Sequence, residues 1–126
     1  MRLLLDTVAL IWAAESPQRL SRRAAAAIRN RQNILELSAL SISEIAIKSA
    51  RGRLNFPPAV LRETLGALGV RVLPVTAEHA LRLFDLPPHH ADPFDRHIIA
   101  QALSEEIPVV TPDGSFGLYY GLRVLW

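Results

Sequence analysis

Cysteine is absent from the 126-residue sequence. Disulfides and thiolate metal sites are thereby excluded, in keeping with a reducing cytosol. Lysine is nearly absent as well: Lys48 is the single one, and every other basic side chain is an arginine. No apolar stretch approaches the ~20 residues of a membrane-spanning helix. The opening "MRLLLDTVALIWAA" has the early arginine and apolar content of a weak signal peptide, but Asp6 interrupts it, and a central carboxylate costs about 2.5–3.5 kcal/mol on insertion scales. Nothing reads as a long linker, an internal repeat or a low-complexity tract. The expectation is a soluble, cytoplasmic protein without a membrane role.

What is present is a large apolar fraction. Half of the residues are hydrophobic, enough for one compact domain over residues 1–126 with a substantial core. The formal charge is +2 and the sequence pI about 9.7. Basicity carried by arginine suits bidentate contact with phosphates or carboxylates, so a nucleic acid or an acidic protein would serve as partner.

Patterning gives a coarse order of elements. "RLLLD" (residues 2–6) is a short buried strand ending in a carboxylate, and "TVALIWAA" after it has helical spacing. "SRRAAAAIRNR" is a helix with Ser21 as cap, since alanine has the best helix propensity. "NILELS" (33–38) is a strand. "SISEIAIKSARGR" is a helix that Gly52 can end, and "AVLRETLGALG" is another, stopped by Gly69. "VRVLPV" is a strand with Pro74 at its end, and "TAEHALRLFDL" a helix capped by Thr76. "DPFDRHIIAQAL" is a helix with Asp92 as N-cap and Pro93 at its first position. "IPVVT" (107–111) is a strand, "PDGSFGLYYG" a loop, and "LRVLW" a closing strand. Short apolar strands alternating with helices predict an α/β sandwich of three layers, α/β/α, around a mostly parallel sheet.

Such sheets place ligand sites beyond the carboxyl ends of their strands. Four acids are expected at that edge. Asp6 directly follows the first strand, Glu44 lies in the first turn of the helix after the second, Asp95 in the first turn of the helix before the fourth, and Asp113 just after the fourth. Each also has an ordinary structural reading: Asp6 as a helix cap, Ser41-x-x-Glu44 as a capping box, Asp95 as a favourable charge on the helix dipole, Pro112-Asp113-Gly114 as a turn. Taken together, those readings leave their shared edge unexplained. Two like charges ~4 Å apart repel by about 4 kcal/mol at an effective dielectric of 20. A cleft holding several carboxylates therefore binds protons with raised pKa values or holds a cation. Oxygen ligands without cysteine, and without an obvious histidine pair, suit Mg²⁺ or Mn²⁺, which can activate water against a phosphodiester.

The pieces "LLLDT", "SISEIAIKSARGRL", "DPFDRHIIAQAL" and "VVTPDGSF", with the closing "VLW", resemble the PIN-domain ribonuclease toxins of the VapC type over essentially the whole chain. The resemblance implies a PIN-like α/β/α sandwich, Mg²⁺- or Mn²⁺-dependent cleavage of single-stranded RNA, and a cognate antitoxin. It also implies a homodimer or a toxin–antitoxin hetero-oligomer. The family's acids fall on Asp6, Glu44, Asp95 and Asp113, as catalytic and metal-binding residues, with Asp92 kept as N-cap. Thr7 and Thr111 match hydroxyl residues beside those acids and are expected to support them by hydrogen bonds.

Lys48, Arg51 and Arg53 cluster at the end of the Glu44 helix, where they either complement its dipole or touch RNA phosphates or an acidic partner. Arg96 either meets the site and a phosphate or forms a surface salt bridge. His89 and His90 read as loop residues open to RNA, and His97 faces away from Asp95. Trp12 reads as core, or as part of an antitoxin groove near the first helices. Two other readings compete. A receiver-like Mg²⁺-binding signalling domain needs adjacent acids after the first strand and a lysine after a late strand, which this chain lacks. A catalytically silent PIN-like binding module has no need of all four acids.

Overall fold

The computed structural model describes residues Met1–Trp126. Five strands, β1 (Arg2–Leu5), β2 (Ile34–Ser38), β3 (Arg71–Leu73), β4 (Val109–Val110) and β5 (Val124–Leu125), form one sheet in the order β3-β2-β1-β4-β5, and every pairing is parallel. The sheet is thus wholly rather than mostly parallel. Its order also differs from the 2-1-3-4-5 order of receiver-like folds, which removes that reading.

Six helices cover the sheet: α1 (Thr7–Glu15), α2 (Arg22–Arg29), α3 (Ala39–Ala50), α4 (Pro58–Leu68), α5 (Ala77–Arg82) and α6 (Pro93–Glu105). The central strand shows how three layers arise. Successive side chains of a strand point to opposite faces, so Leu3 and Leu5 pack with Ala9, Ala24, Ile45 and Leu61 of α1–α4, whereas Leu4 packs with Ile98, Ile99 and Ala102 of α6. All three leucines are fully buried. An apolar run without alternation is what a strand covered on both faces requires.

Local chemistry sets the helix ends. The side chains of Ser21, Thr76 and Asp92 accept backbone N–H groups at the starts of α2, α5 and α6, as their positions predict. Gly69 closes α4 in the left-handed region, at φ 66°, where a β-carbon is unfavourable. Two elements are shorter than expected. Helix α5 stops at Arg82 and passes into a 3-10 turn over Leu83–Asp85, and β4 spans only Val109–Val110.

One helix begins earlier than expected. Strand β2 runs into α3 without a loop, and Ser38, its last residue, caps the helix by accepting from the Leu40 N–H at 3.1 Å. The capping box expected at Ser41 and Glu44 is therefore not formed. Both residues lie inside the helix and are buried, and Glu44 sits in its second turn, not its first.

Candidate metal centre

The sheet order reverses direction between β1 and β4, and the carboxyl edge beside that switch is where a parallel sheet leaves a crevice. Asp6 stands there immediately after β1. Its side chain caps α1, with Oδ1 accepting the Ala9 N–H at 2.7 Å, while Oδ2 accepts the Thr111 hydroxyl from the segment after β4. The side chain is thus both a helix cap and a member of the acidic edge. Burial pushes its pKa up to about 7, against the lowering effect of those two hydrogen bonds, and the charges of Asp95 and Glu44 add to the rise.

Glu44 enters from α3 and is 6% exposed. Its Oε1 accepts the Thr7 hydroxyl at 2.7 Å, and the Thr7 oxygen also meets the Ser41 hydroxyl at 2.9 Å. Its Oε2 accepts from the Lys48 ammonium one turn on. The lone lysine, read from sequence as a helix-end charge or an RNA contact, is in the structure an ion-pair partner of an acid. Hydrogen bonding to Glu44 raises its pKa, and the charges of Asp92 and Asp95 contribute.

Asp95 occupies the third position of α6, after Pro93 and Phe94. Burial raises its pKa to about 6, with Asp92, Glu44 and Asp113 adding to the rise and His90 opposing it, and no hydrogen bond from the protein relieves it. Asp92 is engaged elsewhere: its Oδ1 accepts the Phe94 N–H at 2.8 Å. Asp113 lies three residues beyond β4 and caps a 3-10 turn over Gly114–Leu118, accepting the Ser115 N–H at 2.9 Å. Burial works to raise its pKa, but hydrogen bonds from His90 and Ser115 outweigh that and hold it below the usual carboxylate value. Its own N–H donates to the Thr111 hydroxyl at 3.0 Å, so Thr111 joins the acid of β1 to the acid after β4.

The four acids lie at one edge: Asp6 and Asp95 both sense the charge of Glu44, Asp6 senses Asp95, and Asp95 senses Asp113. His90, read from sequence as a loop residue open to RNA, was not expected among the acids. His90 presents a ring nitrogen to the same space: its ligand atom and those of Asp95 and Asp113 all lie within 4.8 Å of one another. The only sequence sign was its position two residues before Asp92.

The other candidates are placed differently. Arg96 makes neither a salt bridge nor an open anion site, because its guanidinium donates to the carbonyls of Leu86, Pro87 and His90. Arg51 and Arg53 are exposed beyond α3 and border, with Lys48, Asp92 and Phe94, a surface recess of about 390 Å³. Another recess, of about 640 Å³, is bordered by Arg29, Arg31, Asn33 and Gly69. It lies at the amino end of β2, away from the acids. Trp12 is half-buried, 5.9 Å from Trp126, with the Arg19 guanidinium 4.0 Å above its ring.

The donor set suits a hard divalent cation. It offers carboxylate oxygens from four segments, and two of these acids have raised pKa values that a nearby positive charge would lower.

Comparison with solved structures finds the same fold in several toxin–antitoxin complexes. A DNA-bound VapBC from Salmonella typhimurium superposes with a TM-score of 0.74 at 18% identity, covering 98% of this chain and 96% of that one. VapBC2 from Rickettsia felis, bound to a promoter DNA fragment, gives 0.72 at 14% identity, with 98% and 97% covered. FitAcB from Neisseria gonorrhoeae gives 0.61 at 24% identity, with 97% and 95% covered. No curated protein sequence matches significantly. The sequence model of the PIN domain matches residues 3–122, a span that holds all five of the converging side chains, and the chain belongs to the PIN domain family.

Proposed function

We propose that this protein is a metal-dependent endoribonuclease that cuts single-stranded RNA and serves as the toxin of a toxin–antitoxin pair. The observation that carries this is the meeting of Asp6, Glu44, Asp95 and Asp113, from four separate segments, at the switch point of a parallel sheet. Two of these acids are destabilised as carboxylates in the absence of a cation.

Asp6, Asp95 and Asp113 would hold Mg²⁺ or Mn²⁺ with Glu44. A bound divalent cation supplies a water of lowered pKa and offsets the charge of the phosphodiester. The chain's own groups prepare that chemistry. Thr111 and the Ala9 N–H fix the two oxygens of Asp6, and Thr7 fixes Glu44. Lys48 neutralises the far oxygen of Glu44 and tempers the repulsion among the acids. Arg51 and Arg53, exposed beside the edge, fit the phosphates of a strand that crosses it.

The antitoxin partner is supported by the neighbours in fold, which are toxin–antitoxin complexes. The half-buried face of Trp12 and Ile11 on α1, beside exposed Val8, offers an apolar surface for a partner segment. The protein would act in the cytoplasm, alone as a homodimer or inhibited in a hetero-oligomer; no helix is long and apolar enough to cross a membrane.

Purified protein incubated with total RNA, followed by mapping of cut ends, tests the reading. Cuts in unpaired regions are expected with Mg²⁺ or Mn²⁺, and none with EDTA. Cleavage that persists undiminished in EDTA would refute metal dependence, and intact RNA under all conditions would refute the nuclease.

A further inference from the structure

The loop between α5 and α6 is held unusually firmly for an irregular segment. Arg96 on α6 reaches back to three of its carbonyls, those of Pro87 at 2.9 Å, Leu86 at 3.2 Å and His90 at 3.4 Å. The imidazole that this anchoring presents is wedged between aromatic rings. His90 stands edge-on to Phe116, with ring centroids 5.1 Å apart, and stacks on Tyr119 at 5.5 Å and 24°. Both rings are buried.

Each imidazole nitrogen has one partner. Nε2 lies 3.1 Å from Oδ2 of Asp113, and Nδ1 lies 2.9 Å from the Tyr119 hydroxyl oxygen. An ionised carboxylate can only accept, so Nε2 carries a proton and donates to Asp113, and in the neutral ring Nδ1 then accepts from the Tyr119 hydroxyl. The order tyrosine, histidine, carboxylate satisfies every polar atom in the chain.

Asp113 is the acid that needs such a holder. Its side chain is 41% exposed, and it projects from a short 3-10 turn, whereas Asp6 and Glu44 are fixed by their own burial. Ser115 N–H holds one oxygen and His90 the other. Without the imidazole, one oxygen would be free to rotate toward solvent, away from Asp95.

We infer that His90 is a positioning residue: backed by Tyr119, it holds the Asp113 carboxylate against Asp95 and so sets the affinity of the site for a divalent cation. This rests on the reading of the four acids as a metal site. It adds a fifth residue to that site, one that acts through Asp113.

Mn²⁺ titration calorimetry on the purified full-length protein, with thermal melts alongside, tests it. In His90→Gln the amide nitrogen reaches the place of Nε2 and keeps the donor to Asp113. In His90→Asn the amide nitrogen falls at the place of Nδ1, facing Tyr119, and the donor is lost. Partners of metal ligands are worth about 10–100-fold in metal affinity, so His90→Asn is expected to weaken Mn²⁺ by about tenfold or more. His90→Gln should bind close to wild type, and Tyr119→Phe should fall between. Equal Mn²⁺ affinity in wild type and His90→Asn would overturn the inference. Equal loss in the Asn and Gln variants would also overturn it, because the imidazole itself would then be required. Wild type that binds no Mn²⁺ marks the separate failure of the metal-site reading, and takes this inference with it.

Discussion

Asp92 and Asp95 stand one helical turn apart, yet only the first is engaged with the backbone. Asp92 accepts the Phe94 N–H, a role asparagine fills about as well. Asp95 has no donor of its own and lies among other acids. On the proposed function, the pair separates folding from chemistry within one turn. Asp95→Asn is expected to abolish RNA cleavage while leaving the melting temperature unchanged or raised, since it removes a destabilised charge. Asp92→Asn should retain most of the cleavage. Cleavage assays on the two variants with Mg²⁺ present check this, and wild-type rates in Asp95→Asn would remove Asp95 from the site. Much of the residue-scale reading was open in the sequence because caps and strand-end acids are local signals. His90 was not, because its partner is 23 residues away and comes within reach only once Arg96 has drawn the loop back. The position of Glu44 was misjudged for a related reason. Ser38 serves as strand end and helix cap at once, and an alternation of apolar residues does not reveal a joint without a loop.

The elements are tied by one polar network distant from the acids. Arg2 on β1 donates to Glu36 on β2 and, at 3.0 Å, to Glu105 at the end of α6. Glu105 in turn meets His79 of α5 at 3.0 Å. His79 completes the α5 capping box by accepting the Thr76 N–H. A buried glutamate in a strand conflicts with the apolar pattern expected of a covered sheet, and only the guanidinium beside it reconciles the two. Arg2→Ala would leave Glu36, 6% exposed, without its cation. An unsatisfied buried group costs about 1–3 kcal/mol, more when charged. A loss of about 2 kcal/mol is expected, a moderate value because Arg2 itself is partly exposed. Urea unfolding measures it, and a change below about 0.5 kcal/mol would show the network to be ornamental. The strands themselves were legible because both faces of β1 and β4 are covered, which leaves unbroken apolar runs. The shortening of α5 was not, since Leu83–Asp85 keeps helical spacing while adopting a 3-10 turn.

Across the whole molecule, the acidic edge couples stability to pH and, on the proposed function, to cations. Without a cation, burial lifts Asp6 to about 7 and Asp95 to about 6. Each binds its proton more tightly folded than unfolded, so its contribution is complete below the ordinary carboxylate range and is lost as pH rises toward 6–7. Asp113 and Glu105, held below their usual values, contribute above that range and lose their effect only in stronger acid. A cation requires the deprotonated carboxylates. The rise in melting temperature produced by Mn²⁺ is therefore expected to be larger at pH 8 than at pH 5.5, as scanning calorimetry would record, and equal increments would exclude Asp6 and Asp95 as its binding groups. The strand order has a further consequence for synthesis on the ribosome. β1 pairs with β4, so Asp6 waits for Thr111, 105 residues further along the chain, and for Asp113 just beyond it. A nascent chain that stops short of β4 carries no assembled acidic edge, and neither would a fragment cut in any intervening loop once its halves part. The proposed toxicity would wait until the segment after β4 has been made, and that interval is open for an inhibitor to be made ready.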